Sequence, residues 1–568
     1  MNLMRNALVT TIAIVLLFGS VFAVAAGRTP VRGTNGVVAS SSALASEVGI
    51  ATLKKGGNAV DAAVATAFAL AVTWPTAGNI GGGGFLVYHD TNGYATTFDF
   101  REKAPLAATE DMYLDENGNV RDNSNHDGIL AVGVPGTVAG LEMAHREFGK
   151  LKWSDLVAPA VKFARDGIPI TWKLHDDFKG RKTHWDKYPS SAKVFLKADG
   201  TLYEPGDLWV QKDLAKTLQR IQRQGKDGFY TGRTAALIAD FMVANGGIIT
   251  LDDLQQYAAV QREPIRGSYR GYEIVSMPPP SSGGIVLVEM LNILEGFDLA
   301  AAGHNSAQYL HLLTESMRRG YADRAEYLGD PDFNEDMPVE RLISKEHAAN
   351  LRESIDIGRA SESDPAIFAE RYESPDTTHF SVVDKDGTMV SLTYTLEQGY
   401  GSKIVVEGAG FLLNNEMGDF NAQPGVTDVN GRIGTEPNRI RPQQRMLSSM
   451  TPTIVAQDGV PVFATGTPGG KTIINTTLQT ILNVIDYEMN IAEAIEAPRI
   501  HHQWLPDRTL MERRGLSPDT LNLYEALGHT LRQTDSIGSA MGVYHDRNNS
   551  VFHGAADSRA ADGAAISY

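Results

Sequence analysis

The sequence predicts an α+β protein whose helix-forming and strand-forming stretches are largely segregated along the chain. Three observations carry this. An alanine-rich helical pattern runs from Ser40 to a stop at Trp74-Pro75, and residues 135–373 show mostly amphipathic helical periods broken by turn residues. Beyond Pro375-Asp376 the chain changes to short strands rich in Val, Thr and Ile. At 568 residues, 42% of them hydrophobic and with no low-complexity tract or internal repeat, it can bury a large core.

The first 26 residues differ in kind. One basic residue, Arg5, precedes an apolar centre at 12–18, and small residues close the stretch at Ala23-Val24-Ala25-Ala26. This is the pattern of an export signal cut at Ala25 or Ala26. An uncleaved anchor competes with it on length, but Gly19, Ser20 and the small-residue exit favour cleavage. No second stretch is long and apolar enough to span a bilayer, so the mature part is expected to be soluble, with no membrane attachment, and periplasmic or secreted. The chain has no cysteine, which excludes an acylated lipoprotein, disulfides, thiol catalysis and thiolate metal sites. A formal charge of −17 without any basic run argues against a nucleic-acid partner.

Along the mature chain, Gly56-Gly57-Asn58 interrupts the alanine-rich helix before it resumes over 59–72. The run Gly81-Gly82-Gly83-Gly84 leads into FLVYHD and ATTFDFRE, paired strands around a turn at 90–93, with Arg101 just beyond. Within 135–373, YEIVSMPPPSSGGIVLVEMLNILEG reads as strand, turn and helix, and YADRAEYLGDPDF as a helix ending in an acidic loop. Neither segment carries a chemistry legible from residue types, and this half is expected to be scaffold.

The chemistry concentrates at TTHFSVVDKDGTMVSLTYT, 377–395, two alternating strands around a DKDG turn. A turn centred on Asp386-Gly387 places residue 378 opposite 395, so the hydroxyls of Thr377 and Thr395 fall near one another. A threonine hydroxyl is a weak nucleophile without a base, and no Ser-His-Asp order lies nearby. Its own α-amino group, with an ordinary pKa of about 7.7–8.0, can serve only if Thr377 is a chain terminus. Attack of the Thr377 hydroxyl on the Asp376 carbonyl, followed by hydrolysis of the ester, would create that terminus. Threonines as ordinary strand formers explain the same residues.

TTHFSVVDKDGTMVSLTYTLEQGYGS, GFLLNNEMGDF, RMLSSMTPTIV, GTPGGKTIINT and APRIHHQWLPD together resemble the γ-glutamyltranspeptidase family of N-terminal-nucleophile hydrolases. GGNAVDAAVATAFALAV, GNIGGGGFLVYHD, FDFREKAP, VGVPGTVAG and YADRAEYLGDPDF extend the resemblance upstream, over about 35–568. The resemblance implies an αββα sandwich built from two chains of one self-cleaved precursor. A signal peptide at 1–26 would be followed by a large subunit of 27–376 and a small subunit of 377–568. It implies a γ-glutamyl transferase and hydrolase acting on glutathione and related amides, passing the acyl group to water, amino acids or peptides.

The resemblance also implies roles for individual residues. Thr377 would be the residue that cuts after Asp376 and then the nucleophile, with Thr395 hydrogen-bonded to it. Gly469 and Gly470, ahead of the helical run KTIINTTLQTILNVI, would form the oxyanion hole. A phosphate loop is the rival there, and Thr465 stands where that motif needs glycine. Arg101 would grip the substrate carboxylate with Ser448 and Ser449, while Glu397, Glu416 and Asp419 would hold its ammonium. Glu397 departs from the asparagine of many members and makes the pocket more acidic.

His379 and His501-His502 lack companions at ligand spacing, so no metal and no organic cofactor are expected. The segment 425–446 would be a lid, with Asn430 in place of a lid tyrosine and Met446 in place of a proline, giving a more open site. Two competitors remain: an acylase for glutaryl-type β-lactam side chains, and a non-catalytic periplasmic amino-acid-binding relative.

Overall fold

The computed structural model describes residues 27–363, 377–426 and 434–568. The signal segment 1–26, Asp376 and Asn430 lie outside the described residues.

Two seven-stranded antiparallel sheets form the centre. One runs, edge to edge, Ala564–Ser567, Gly36–Ser40, Thr377–Asp384, Met389–Thr395, Gly83–His89, Ala95–Asp99 and Val260–Arg262. The other runs Val31–Gly33, Val551–Ala556, Met541–Asp546, Val460–Gly466, Thr453–Gln457, Tyr272–Ser276 and Ile265–Tyr269. Each sheet draws strands from both sides of residue 376.

Alternation along the strands decides which layer each side chain joins. From Thr377–Asp384, Phe380 and Val382 pack into a helix-facing core with Phe68, Leu70, Leu156 and Leu218. Val383 and Met389 instead meet Val275, Ile454, Met541 and Val543 of the other sheet. The second sheet's outer face is covered by helices Gly283–Leu294, Ala307–Tyr327 and Thr472–Ile485, whose Leu287, Leu313 and Leu478 share one core with Val455 and Phe463. The layers are therefore helix, sheet, sheet, helix.

Local sequence explains the boundaries. Asn58 ends the interruption at Gly56-Gly57 because its side chain accepts from Asp61 N–H while Asp61 accepts from Asn58 N–H, a capping box that opens helix Ala59–Thr73. The hairpin at 377–395 is shifted one residue from the turn-centred register: Thr377, not Thr378, is opposite Thr395. The loop is odd-membered and centres on Asp386. Asp384 Oδ1 accepts from both Asp386 N–H at 3.0 Å and Thr388 N–H at 3.1 Å, and Gly387 takes a φ of 85°.

Candidate active site

The open end of that hairpin carries the two threonines, whose parity turns both toward the second sheet. The neighbouring Thr378 faces the helix layer, where its hydroxyl bonds Ser41 Oγ at 3.0 Å. Thr395 is held from two directions. Its Oγ1 accepts from Glu397 N–H at 2.9 Å, and its carbonyl accepts from Asn79 Nδ2 at 2.8 Å. Asn79 also takes the Gly82 N–H and the Thr137 hydroxyl on Oδ1. A side chain at position 82 would collide with the Thr395 carbonyl, which is why the glycine run sits here.

Gly469 and Gly470 take φ values of 141° and 56°, and a Cβ on Gly469 would strike Thr472 Oγ1. The Gly469 carbonyl accepts from Thr472 N–H at 3.1 Å and from its hydroxyl at 2.8 Å. Because a trans peptide sets C=O and N–H in opposite directions, the Gly470 N–H points away from the helix. The positive end of helix Thr472–Ile485 lies directly behind it.

Arg101 is buried and fully engaged. Its guanidinium bonds Glu416 Oε1 and Asp419 Oδ2, approaches Glu102 Oε2 at 3.7 Å, and donates to the carbonyls of Met446 and Leu447 at 3.2 Å each. Its backbone is fixed as well, through Asp99 Oδ1 to its N–H at 3.0 Å and Tyr257 Oη to its carbonyl at 2.8 Å. The resemblance divides carboxylate-holding Arg101 from the ammonium-holding acids. In this structure they are paired with one another.

Three carboxyl groups, from Glu102, Glu416 and Asp419, crowd this one guanidinium, and Glu397 lines the same cavity beside Glu416. Burial is the main cause that pushes Glu102 up to about 8 and Glu416 well above the carboxylate range, Arg101 pulling both down. Glu102 and Glu397 push Glu416 up further. Burial therefore favours the protonated form within the cluster. Glu397 holds a φ of 77°, and its Oε1 lies 3.5 Å from His126 Nδ1.

The serines are placed by the half expected to be scaffold, which corrects that expectation. Ser448 N–H bonds the Pro280 carbonyl at 2.9 Å, and its own carbonyl accepts from Ser282 N–H at 2.8 Å and from Ser282 Oγ at 2.7 Å. Buried Arg324, from YADRAEYLGDPDF, donates to Ser282 Oγ at 2.9 Å and to Ser449 Oγ at 3.0 Å. Asp330, from the acidic loop, takes the Arg445 N–H at 2.7 Å and anchors the segment entering LSSM. Arg324, Asp330, Asn79 and His126 escaped the sequence reading because each acts on another residue across the fold. The PPPSSGG and GDPD turns were the available signal.

The histidines behave as core residues. His379 bonds Thr393 Oγ1 at 2.8 Å and Ser381 Oγ at 2.9 Å between the sheets, where burial holds it down at about 3. His501 bonds Asn475 Nδ2 at 2.7 Å.

One cavity, with an empty volume of ≈ 270 Å³, is lined by Thr377, Thr395, Arg101, Glu397, Glu416, Asp419, Ser448, Ser449 and Gly470, with Met450 and Ile473 as its apolar wall. Gly469 stands behind Gly470. A small cavity lined by a guanidinium, carboxyl groups and hydroxyls offers partners to both charges of a zwitterionic head group.

The family profile described as Gamma-glutamyltranspeptidase matches residues 45–567. A glutathione hydrolase proenzyme of Escherichia coli (strain K12) is 47% identical over 542 residues, covering 95% of this chain and 93% of that protein. Among solved structures, a cephalosporin acylase from Bacillus halodurans is similar with a TM-score of 0.85 at 27% identity, over 97% of this chain and 98% of that one. Helicobacter pylori gamma-glutamyltranspeptidase is 50% identical with a TM-score of 0.55, over 56% of this chain and 91% of that one. Sequence and fold agree: the chain belongs to the gamma-glutamyltranspeptidase family and has the αββα sandwich of the N-terminal-nucleophile hydrolases.

Proposed function

We propose that the protein is a self-processing γ-glutamyl transferase and glutathione hydrolase in which Thr377 cuts the precursor and then carries the acyl group. The supporting observation is the single cavity that gathers Thr377, Gly470, Arg101 and three acidic side chains. Thr377 Oγ attacks the Asp376 carbonyl, the amide becomes an ester, and water releases Thr377 as a new N-terminus. The freed amine, neutral in part near pH 7.7–8.0, then takes the hydroxyl proton as the same oxygen attacks the substrate's γ-carbonyl. The N–H groups of Gly469 and Gly470 hold the developing oxyanion, and Thr395 orients the nucleophile. The protonated amine passes its proton to the leaving amine, and water or an acceptor amine resolves the γ-glutamyl-threonine ester.

Arg101, Ser448 and Ser449 take the substrate α-carboxylate, while Glu397, Glu416 and Asp419 take its ammonium. The large subunit spans 27–376 and the small one 377–568. The segment 1–26 directs export to the periplasm or medium, and no helix among the described residues is long and apolar enough to cross a membrane.

A gel of purified protein should show two fragments, the smaller beginning Thr-Thr-His-Phe, while Thr377→Ala stays whole and inactive. Efficient processing of that variant would overturn the assignment. The similarity to a cephalosporin acylase supports a second reading, a glutaryl acylase. Such a substrate has no ammonium for the acids to hold, so faster turnover of glutaryl- than of γ-glutamyl-p-nitroanilide would favour it.

A further inference from the structure

Helix Gly283–Leu294, GGIVLVEMLNIL, is buried along its whole length and carries one charged residue, Glu289. Neither carboxylate oxygen of Glu289 meets an N–H or hydroxyl donor, and its polar neighbour is the carboxyl group of Asp323. Two carboxyl groups side by side in such surroundings are costly unless a cation or a proton stands between them. Nothing in γ-glutamyl chemistry uses it.

Two further donors converge on it. Asp323 comes from helix Ala307–Tyr327 and His347 from helix Lys345–Glu353, and one ligand atom from each of the three residues lies within 4.8 Å of the others. His347 Nε2 is 2.6 Å from Asp323 Oδ2. Arg341 is the nearby cation that pulls Glu289 down, but it stacks 4.7 Å over the Tyr327 ring and makes no hydrogen bond to Glu289.

We propose that Glu289, Asp323 and His347 form a site for one divalent cation of the zinc class, set behind the substrate-facing serines. One imidazole nitrogen and two carboxylates supply a formal charge of −2. Bonds of about 2.0–2.2 Å place tetrahedral donors roughly 3.4 Å apart, within the observed spread. Asp323 and His347 are only half-buried, so a water can complete the shell.

The framework is docked without help from the cation. Arg352, from the His347 helix, donates to the carbonyls of Ile293 and Asn292 at 2.9 and 2.8 Å, and Asn292 Nδ2 donates to the Ile343 carbonyl at 2.8 Å. The other histidine-acid cluster is already satisfied. His311 bonds His529 and the Asp356 carbonyl, and Glu315 takes Arg318, Arg319 and Ser361 N–H.

The position gives the site a purpose. Asp323 precedes Arg324, which holds Ser282 and Ser449, and Glu289 lies on the helix that starts just after Ser282. A cation would fasten these two helices to each other.

The test uses processed enzyme stripped with a chelator and titrated with ZnCl2 by calorimetry, with melting followed in parallel. Wild type should bind one equivalent more than His347→Ala or Glu289→Gln and should gain several degrees of melting temperature that neither variant gains. The difference is decisive because the chain carries 14 histidines that bind zinc weakly. Cobalt(II) should give a visible absorption band that His347→Ala loses. Retained γ-glutamyl-p-nitroanilide turnover verifies that each variant is folded. Equal stoichiometry in all three proteins overturns the proposal. So does a stabilised Glu289→Gln in the absence of any zinc uptake by wild type, which would mean that Glu289 and Asp323 share a proton instead.

Discussion

Arg101 shows how completely a buried charge is held by its surroundings. Its fork is saturated by acids and carbonyls, so under the proposed function an incoming α-carboxylate would have to displace part of that shell while the substrate ammonium would take over the acids. Arg101→Ala should therefore weaken γ-glutamyl binding by about 3–5 kcal/mol and also destabilise the fold, since the surrounding carboxyls lose their counter-charge. Unchanged kcat/KM would remove Arg101 from the site.

Glu102 gives a pH signature. Its folded value near 8 lies above the ordinary carboxylate value, so the native state holds a proton that the unfolded chain releases. Stability from this group is present at low pH and lost as pH rises toward 8. In the uncut Thr377→Ala background, Glu102→Gln should flatten denaturation midpoints over that window, by at most about 1.4 kcal/mol per pH unit. An unaltered slope would place the proton elsewhere in the cluster. Glu397 tells a backbone story: its φ of 77° is tolerated better by asparagine, so Glu397→Asn should stabilise the protein by about 1 kcal/mol while weakening hold on the ammonium. A melting curve and KM together check both halves.

Among the elements, the turn at 469–470 and the helix bearing Arg324 do most to shape the cavity. Arg324→Ala frees Ser282 and Ser449, so KM for γ-glutamyl-p-nitroanilide should rise about tenfold or more with processing intact, as loss of hydrogen bonds to a charged group predicts. An unaltered KM would mean that the serines are held by the Pro280–Ser282 backbone alone. Legibility follows the range of the interaction. The hairpin at 377–395, the stop at Trp74-Pro75 and the glycine pair could be read because alternation, helix breaking and positive φ are local. The one-residue register shift could not, since it depends on Asp384 folding back on its own turn. Arg324 and Asp330 were invisible for another reason: their partners lie 125 and 115 residues away. Motif resemblance named Ser449, yet only the fold shows what positions it.

For the whole molecule, the layers were expected from resemblance and not from composition, because period-2 strands do not reveal which sheet they will join. The interleaving of the two sheets was not legible at all. Strands Gly36–Ser40 and Met389–Thr395 flank Thr377–Asp384 from opposite sides of residue 376, and Tyr272–Ser276 pairs with Thr453–Gln457 in the second sheet. Cutting after Asp376 severs none of these ladders. Processed enzyme and uncut Thr377→Ala should melt within a few degrees of each other, and a gap of tens of degrees would show that the severed connection carries stability.

The same interleaving separates the two forms once they are denatured. The precursor folds as one molecule, at a rate indifferent to dilution. The matured protein must first find its other half, so its recovery becomes second order and competes with aggregation of exposed strand edges. Maturation would thus convert a reversible fold into one whose persistence is governed by how slowly it opens, and the cut enzyme at high dilution would last as long as its first unfolding takes.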